Sequence, residues 1–175
     1  MDTLDRISIW VIVVLIISSF VLTGGYRGEA GPDRKAQQRN AAADYAAVNG
    51  EVKGKIKIAR DLMEAGNLDK AEVLVRELLL KYPFEGEPHM VMGDIFMRRL
   101  EPVKAMPEYR EAVDLNPDYL DKNTGLFQGK KLKIAVGEAL NEIEEKIGSA
   151  PDDEFLLESR KTVYYLKRRI AGSCG

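Results

Sequence analysis

From Ile7 to Tyr26 the chain runs 20 residues without a charge, and most of that run is Ile, Val, Leu, Phe and Trp. A helix rises about 1.5 Å per residue, so such a segment reaches about 30 Å, the hydrocarbon thickness of a bilayer. A helix apolar all round must be buried in lipid or deep in protein. Trp10 near one edge and Tyr26-Arg27 at the other suit the lipid interface. The residues before the run carry Asp2 and Asp5 against a single Arg6, unlike the basic start of a signal peptide, and no Ala-x-Ala-like site follows closely. The expectation is an uncleaved single-pass transmembrane anchor over residues 1–27. A cleaved signal is the alternative, because Thr23-Gly24-Gly25 is small enough for processing. Arg27, Arg34, Lys35 and Arg39 follow the run, so positive-inside bias favours a cytoplasmic over a periplasmic domain at a cell (inner) membrane. Anchors with short tails that hold their domain outside argue the other way.

Behind the run the chain is polar, and its chemistry narrows the choice of function. A net charge of −2 leaves no basic footprint for nucleic acid. One His and one Cys exclude most metal-site spacings, and there is no haem-attachment motif, Gly-rich phosphate loop or calcium-loop spacing. Cys174 lies in a Gly-Ser-Cys-Gly tail and has no second thiol to pair with. No nucleophile–base constellation can be read, so neither an enzyme, a cofactor, a metal nor a small-molecule substrate is expected. Residues 28–50 read as a linker and a juxtamembrane helix, Asp33–Val48, ending at Asn49-Gly50. Arg34, Lys35 and Arg39 could touch anionic lipid, but a solvated spacer explains them better.

From Glu51 onward a spacing of 34 residues organises the sequence. Lys55, Ile58, Ala59, Leu62, Ala71, Val75, Leu78 and Pro83 match His89, Met92, Gly93, Phe96, Ala105, Tyr109, Ala112 and Pro117, pair by pair. The spacing describes a helical hairpin: one apolar stripe per helix, a small residue where the backbones approach, and a proline ending the second helix. The second copy, His89-x-x-Met92-Gly93-x-x-Phe96 … Ala105-x-x-x-Tyr109 … Pro117, resembles the tetratricopeptide repeat. The first copy lacks the large aromatic and the glycine. Pro107 falls inside the second helix of the second copy, so that helix is expected to start late or to kink near Val103–Met106.

A third copy is degenerate. Ala139, Ile143 and Pro151 keep the register, but Asn123, Thr124, Gly125 and Gly129 are weak helix formers. Either the unit is imperfect, or residues 118–128 form a loop before one longer helix over Gly129–Ile147, with Leu132, Val136, Leu140, Ile143 and Ile147 inward. A turn at Gly148–Asp152 then leads to a capping helix, Asp153–Ala171, with Leu156, Val163, Leu166 and Ile170 inward. The expected fold is all-α: an anchor, then a helical domain over 51–171 with repeats near 52–85, 86–119 and 120–153, and a cap over 153–171.

The resemblance implies how such a domain works. In stacked repeats of this family the first helices line a concave surface that grips a partner segment. The corresponding positions here are Lys53, Ile56, Arg60 and Met63 in the first copy and Glu87, Met90, Asp94 and Met97 in the second. Methionines there form an adaptable apolar floor, unless they pack into the core instead. His89 takes the place of the family's packing aromatic and is expected to be half-buried and structural. The functional expectation is a membrane-tethered scaffold or adaptor that binds a partner protein. The alternative is an accessory or assembly subunit of a membrane complex, respiratory or secretory.

Overall fold

The computed structural model describes residues 34–172 and divides the chain into two units, one ending at Ala47 and the other beginning at Val48. The anchor segment and Cys174 lie outside the described residues. Among the described residues there are six α-helices and one 3-10 turn, no strand, and no helix long and apolar enough to cross a membrane. The domain is all-α.

The helices are α1 (Arg34–Glu64), α2 (Leu68–Lys81), α3 (Gly86–Arg98), α4 (Pro102–Leu115), α5 (Gly129–Ser149) and α6 (Glu154–Gly172). Asn49-Gly50 does not end the first helix, contrary to the expected stop. Gly50 and Gly54 are exposed and a Cβ at either would meet nothing. Each costs the helix about 1 kcal/mol relative to alanine. On another face of the same helix, Val52, Ile56, Ala59 and Met63 are buried at helical spacing. Burial of a large aliphatic side chain contributes about 1.5–3 kcal/mol, so packing outweighs local propensity.

The 34-residue register is visible in the backbone. The turns after α1 and α3 place Gly66 (φ +77°) and Leu100 (φ +60°) in the left-handed region. At each turn the next amide reaches back five residues: Asn67 N to Leu62 O at 2.8 Å, and Glu101 N to Phe96 O at 2.9 Å. This is the Schellman pattern that closes a helix C-terminus. Helices α2, α4 and α5 stop at Lys81, Leu115 and Ser149, each just before the residue that precedes a proline, which disfavours helical backbone there. Pro107 does not delay α4, which starts at Pro102 and carries Pro107 exposed in its second turn.

Packing runs in sequence order: α2 on α3, α3 on α4, α4 on α5, and α6 against both α4 and α5. One core joins α1, α2 and α3 through Ile56, Ala59, Val75, Leu78, Val91 and Ile95. The other joins α3 to α6 through Met90, Met106, Tyr109, Leu132, Ile143 and Leu166. The third unit has no first helix. After the 3-10 turn Pro117–Tyr119, residues 120–128 form a looped segment whose Gln128 N–H bonds Tyr119 O at 2.7 Å. One long helix follows, as the second of the two sequence readings has it. The cap carries Leu156, Val163, Leu166 and Ile170 inward.

Candidate functional site

Asp94 sits in the middle of α3 and is partly buried. Across from it, Tyr109 of α4 is fully buried as a ring, and its Oη donates to Asp94 Oδ1 at 2.7 Å. Lys131, in the first turn of α5, donates from Nζ to both Asp94 oxygens at 2.7 and 3.0 Å. The same ammonium lies 5.5 Å from the centre of the Tyr109 ring. Burial, and then the Asp94 charge, push the Tyr109 phenol well above its ordinary range, so it stays protonated and donates. One carboxylate thereby ties three helices together.

Around this knot lies a groove of about 620 Å³. Arg60, Met63 and Glu64 of α1 form one wall. Asp94, Met97 and Arg98 of α3 run along the middle. Lys131, Ile134 and Ala135 of α5 form the far wall, with Tyr109 beneath. Arg98 Nη1 donates to the Met63 carbonyl at 2.7 Å, which fixes the end of α1 against α3. Arg60 bonds Glu87 at 2.9 Å across the same two helices. Met63 is buried and Met97 half-buried, whereas Ile134 is 63% exposed, so the far wall presents an apolar side chain to solvent.

Of the eight residues expected to form a groove, Arg60, Met63, Asp94 and Met97 line it. Glu87 stands at its edge through its bond to Arg60. Lys53 is exposed and outside it. Ile56 and Met90 are core residues instead: Ile56 belongs to the α1–α3 core and Met90 to the cluster with Tyr119, Leu120 and Leu132. Met90 is buried because α3 packs against both α2 and α4 and so buries a band wider than one stripe, and Ile56 because it falls on the Val52–Ala59–Met63 stripe of α1 that packs with residues of α2 and α3. Lys131 and Ile134 complete the site and were not singled out in the sequence. The 34-residue spacing does point to Lys131, which follows Met63 and Met97 in register.

His89 lies outside the groove. Its Nδ1 lies 2.8 Å from Glu108 Oε2, between α3 and α4, and its side chain is largely covered. Burial opposes its charge, but the Glu108 carboxylate, the Pro83 carbonyl and nearby Glu111 together raise its pKa above the usual value. Tyr119 is pushed up to about 12 by burial and then by Glu87. Among the described residues no group of three His, Cys, Asp or Glu side chains could hold a metal ion. The groove offers hydrogen-bonding groups, charge and partly exposed apolar side chains. No protein-family model matches the chain, and no curated protein matches it.

Proposed function

We propose that this chain is a membrane-tethered docking protein of the tetratricopeptide-repeat type, whose groove between α1, α3 and α5 binds a segment of a partner protein. The observation that carries this reading is the register of the groove. Met63, Met97 and Lys131 stand 34 residues apart on the alternate helices α1, α3 and α5, and each lines the same groove. The sequence of Ile7–Tyr26 supplies the tether. Confinement to a bilayer raises the effective concentration of a partner there, so a micromolar groove is sufficient. The test is capture of partners from solubilised membranes by the full chain. The double variant Met97→Glu, Ile134→Glu should lose a partner that the wild type retains, because a docked apolar segment would then cover one charge along the middle of the groove and one on its far wall. Retention by that variant would rule the groove out.

The second reading, a permanent subunit of a membrane complex, has its own support. Val73 and Leu80 share one face of α2 and are 60% and 86% exposed, with Phe84 just beyond at 85%. Apolar side chains this exposed on one side are what a constitutive neighbour would cover. Extraction in mild detergent distinguishes the two: a stoichiometric assembly containing other chains supports the subunit, and their absence supports the adaptor.

A further inference from the structure

From Arg160 onward, α6 carries a charge that neither the core nor the groove uses. Residues 160–169 hold five Arg or Lys, two Tyr and no acid, in a chain of net charge −2. Cations in the last turn of a helix answer its dipole, but only Arg169 stands there. Arg160, Lys161, Lys167 and Arg168 are all exposed. Each lies three or four residues from Tyr164, away from the buried stripe of Leu156, Val163, Leu166 and Ile170.

Most of these cations lack a carboxylate of their own. Lys161 is bound to Glu158 at 2.8 Å, and Arg169 turns to Asp114 of α4 at 4.0 Å. Glu154, the other acid on this side, lies in the first turn of the helix. Among the described residues Arg160, Lys167 and Arg168 form no ion pair. Arg160 and Lys167 lie instead over the Tyr164 ring, at 5.6 and 5.8 Å from its centre. The hollow beside them, of about 1000 Å³, is lined by α6 alone, with Phe155, Leu157 and Tyr164 as its apolar part. A cleft that holds a peptide has walls from two elements, whereas a planar array of anionic headgroups meets a convex helix. Tyr suits the bilayer interface, and long Lys and Arg stems carry their charges from an apolar surface to the headgroups.

We infer that this stretch of α6 is a contact surface for an anionic bilayer, held against lipid headgroups by Arg160, Lys167 and Arg168 with Tyr164 at the interface. The inference rests on the tether proposed for Ile7–Tyr26, which keeps the chain beside a membrane, and adds a second, electrostatic contact to it. Clusters of about four to eight Lys or Arg are what anionic lipid attracts, and residues 160–169 supply five. Each cation beside such a surface contributes about fivefold to association, and salt screens that contribution.

The test uses the full chain, reconstituted in vesicles of phosphatidylcholine alone or mixed with phosphatidylglycerol. In a Cys174→Ser background, Leu157→Cys carries an environment-sensitive dye on this face, and Ile134→Cys carries it in the groove. The dye at position 157 should move to shorter wavelength in the mixed vesicles only. The shift should vanish in about 1 M salt, where the screening length is about 3 Å, and the dye at position 134 should not shift at all. Arg160→Glu/Lys167→Glu/Arg168→Glu should abolish the shift with an unchanged helical circular-dichroism signal. The milder Arg160→Gln/Lys167→Gln/Arg168→Gln should abolish it without adding acid. Equal emission in both lipids, or a shift that survives both triple variants, would overturn the proposal. So would a shift that requires an added acidic protein rather than phosphatidylglycerol. Flotation of the same vesicles separates this contact from the tether. A chain that fails to float with phosphatidylcholine overturns the tether and this inference with it, whereas one that floats with no shift in the mixed vesicles overturns the α6 contact alone.

Discussion

A Cβ on Gly93 would lie 2.4 Å from the ring of Tyr109, so the closest approach of α3 to α4 depends on a glycine meeting an aromatic face. Gly93→Ala forces that ring or the helix to move, and overpacking of this kind costs about 1–3 kcal/mol. The same change at Gly137, where a Cβ meets nothing on the exposed side of α5, should stabilise by about 1 kcal/mol. Urea unfolding of both variants checks the contrast in sign.

Asp94 holds two donors, and the pair should be energetically coupled. Removing the Tyr109 hydroxyl with Tyr109→Phe leaves Asp94 with Lys131 alone and should cost about 1–2 kcal/mol, within the range for hydrogen bonds to charged groups. Asp94→Asn weakens both contacts. A double-mutant cycle between the two should show a coupling of about 1 kcal/mol; strict additivity would mean that the short distances carry no energy.

The His89–Glu108 pair predicts a pH dependence. The folded pKa of His89 is raised above its unfolded value, so the folded state binds the proton more tightly. Its contribution to stability is therefore fully present below about pH 6.5 and is lost as pH rises through the raised folded value. Thermal unfolding between pH 6 and pH 9 should show this loss, and His89→Gln should remove that part of the profile. A profile that is unchanged by the substitution would contradict the assignment.

Leu100 occupies the position that Gly66 holds one repeat earlier, with φ +60° and 85% of its side chain exposed. A left-handed non-glycine residue costs about 1–2 kcal/mol, and little burial is at stake here. Leu100→Gly should raise stability by about 1 kcal/mol, and Gly66→Ala should lower it by a similar amount. Melting temperatures of the two variants check both.

Much of this arrangement is legible in residue spacing, because the hairpin repeat imposes helix ends, turns and prolines at fixed intervals. The stops at Lys81, Leu115 and Ser149 follow from Pro83, Pro117 and Pro151. The inward residues of α5 and α6 follow from their period. Three things do not follow. Helix α1 passes Asn49-Gly50 because burial further along outweighs glycine's local cost, and local sequence carries no measure of that burial. Met90 turns inward because α3 has neighbours on two sides. Ile134 enters the groove because residues 120–128 form a loop and α5 begins only at Gly129, so the far wall comes from one long helix in which Lys131 alone keeps the register of Met63 and Met97.

The central claim is that the groove between α1, α3 and α5 is where a partner sits. A photo-reactive amino acid placed at Ile134 tests it most directly, with the same probe at Leu80 on the exposed face of α2 as comparison, in the full chain expressed in cells. Cross-linking of one discrete protein from Ile134, lost when Met97 is changed to Glu, is the predicted result. Cross-links from Leu80 but none from Ile134 would contradict the account and move the contact to the exposed face of α2.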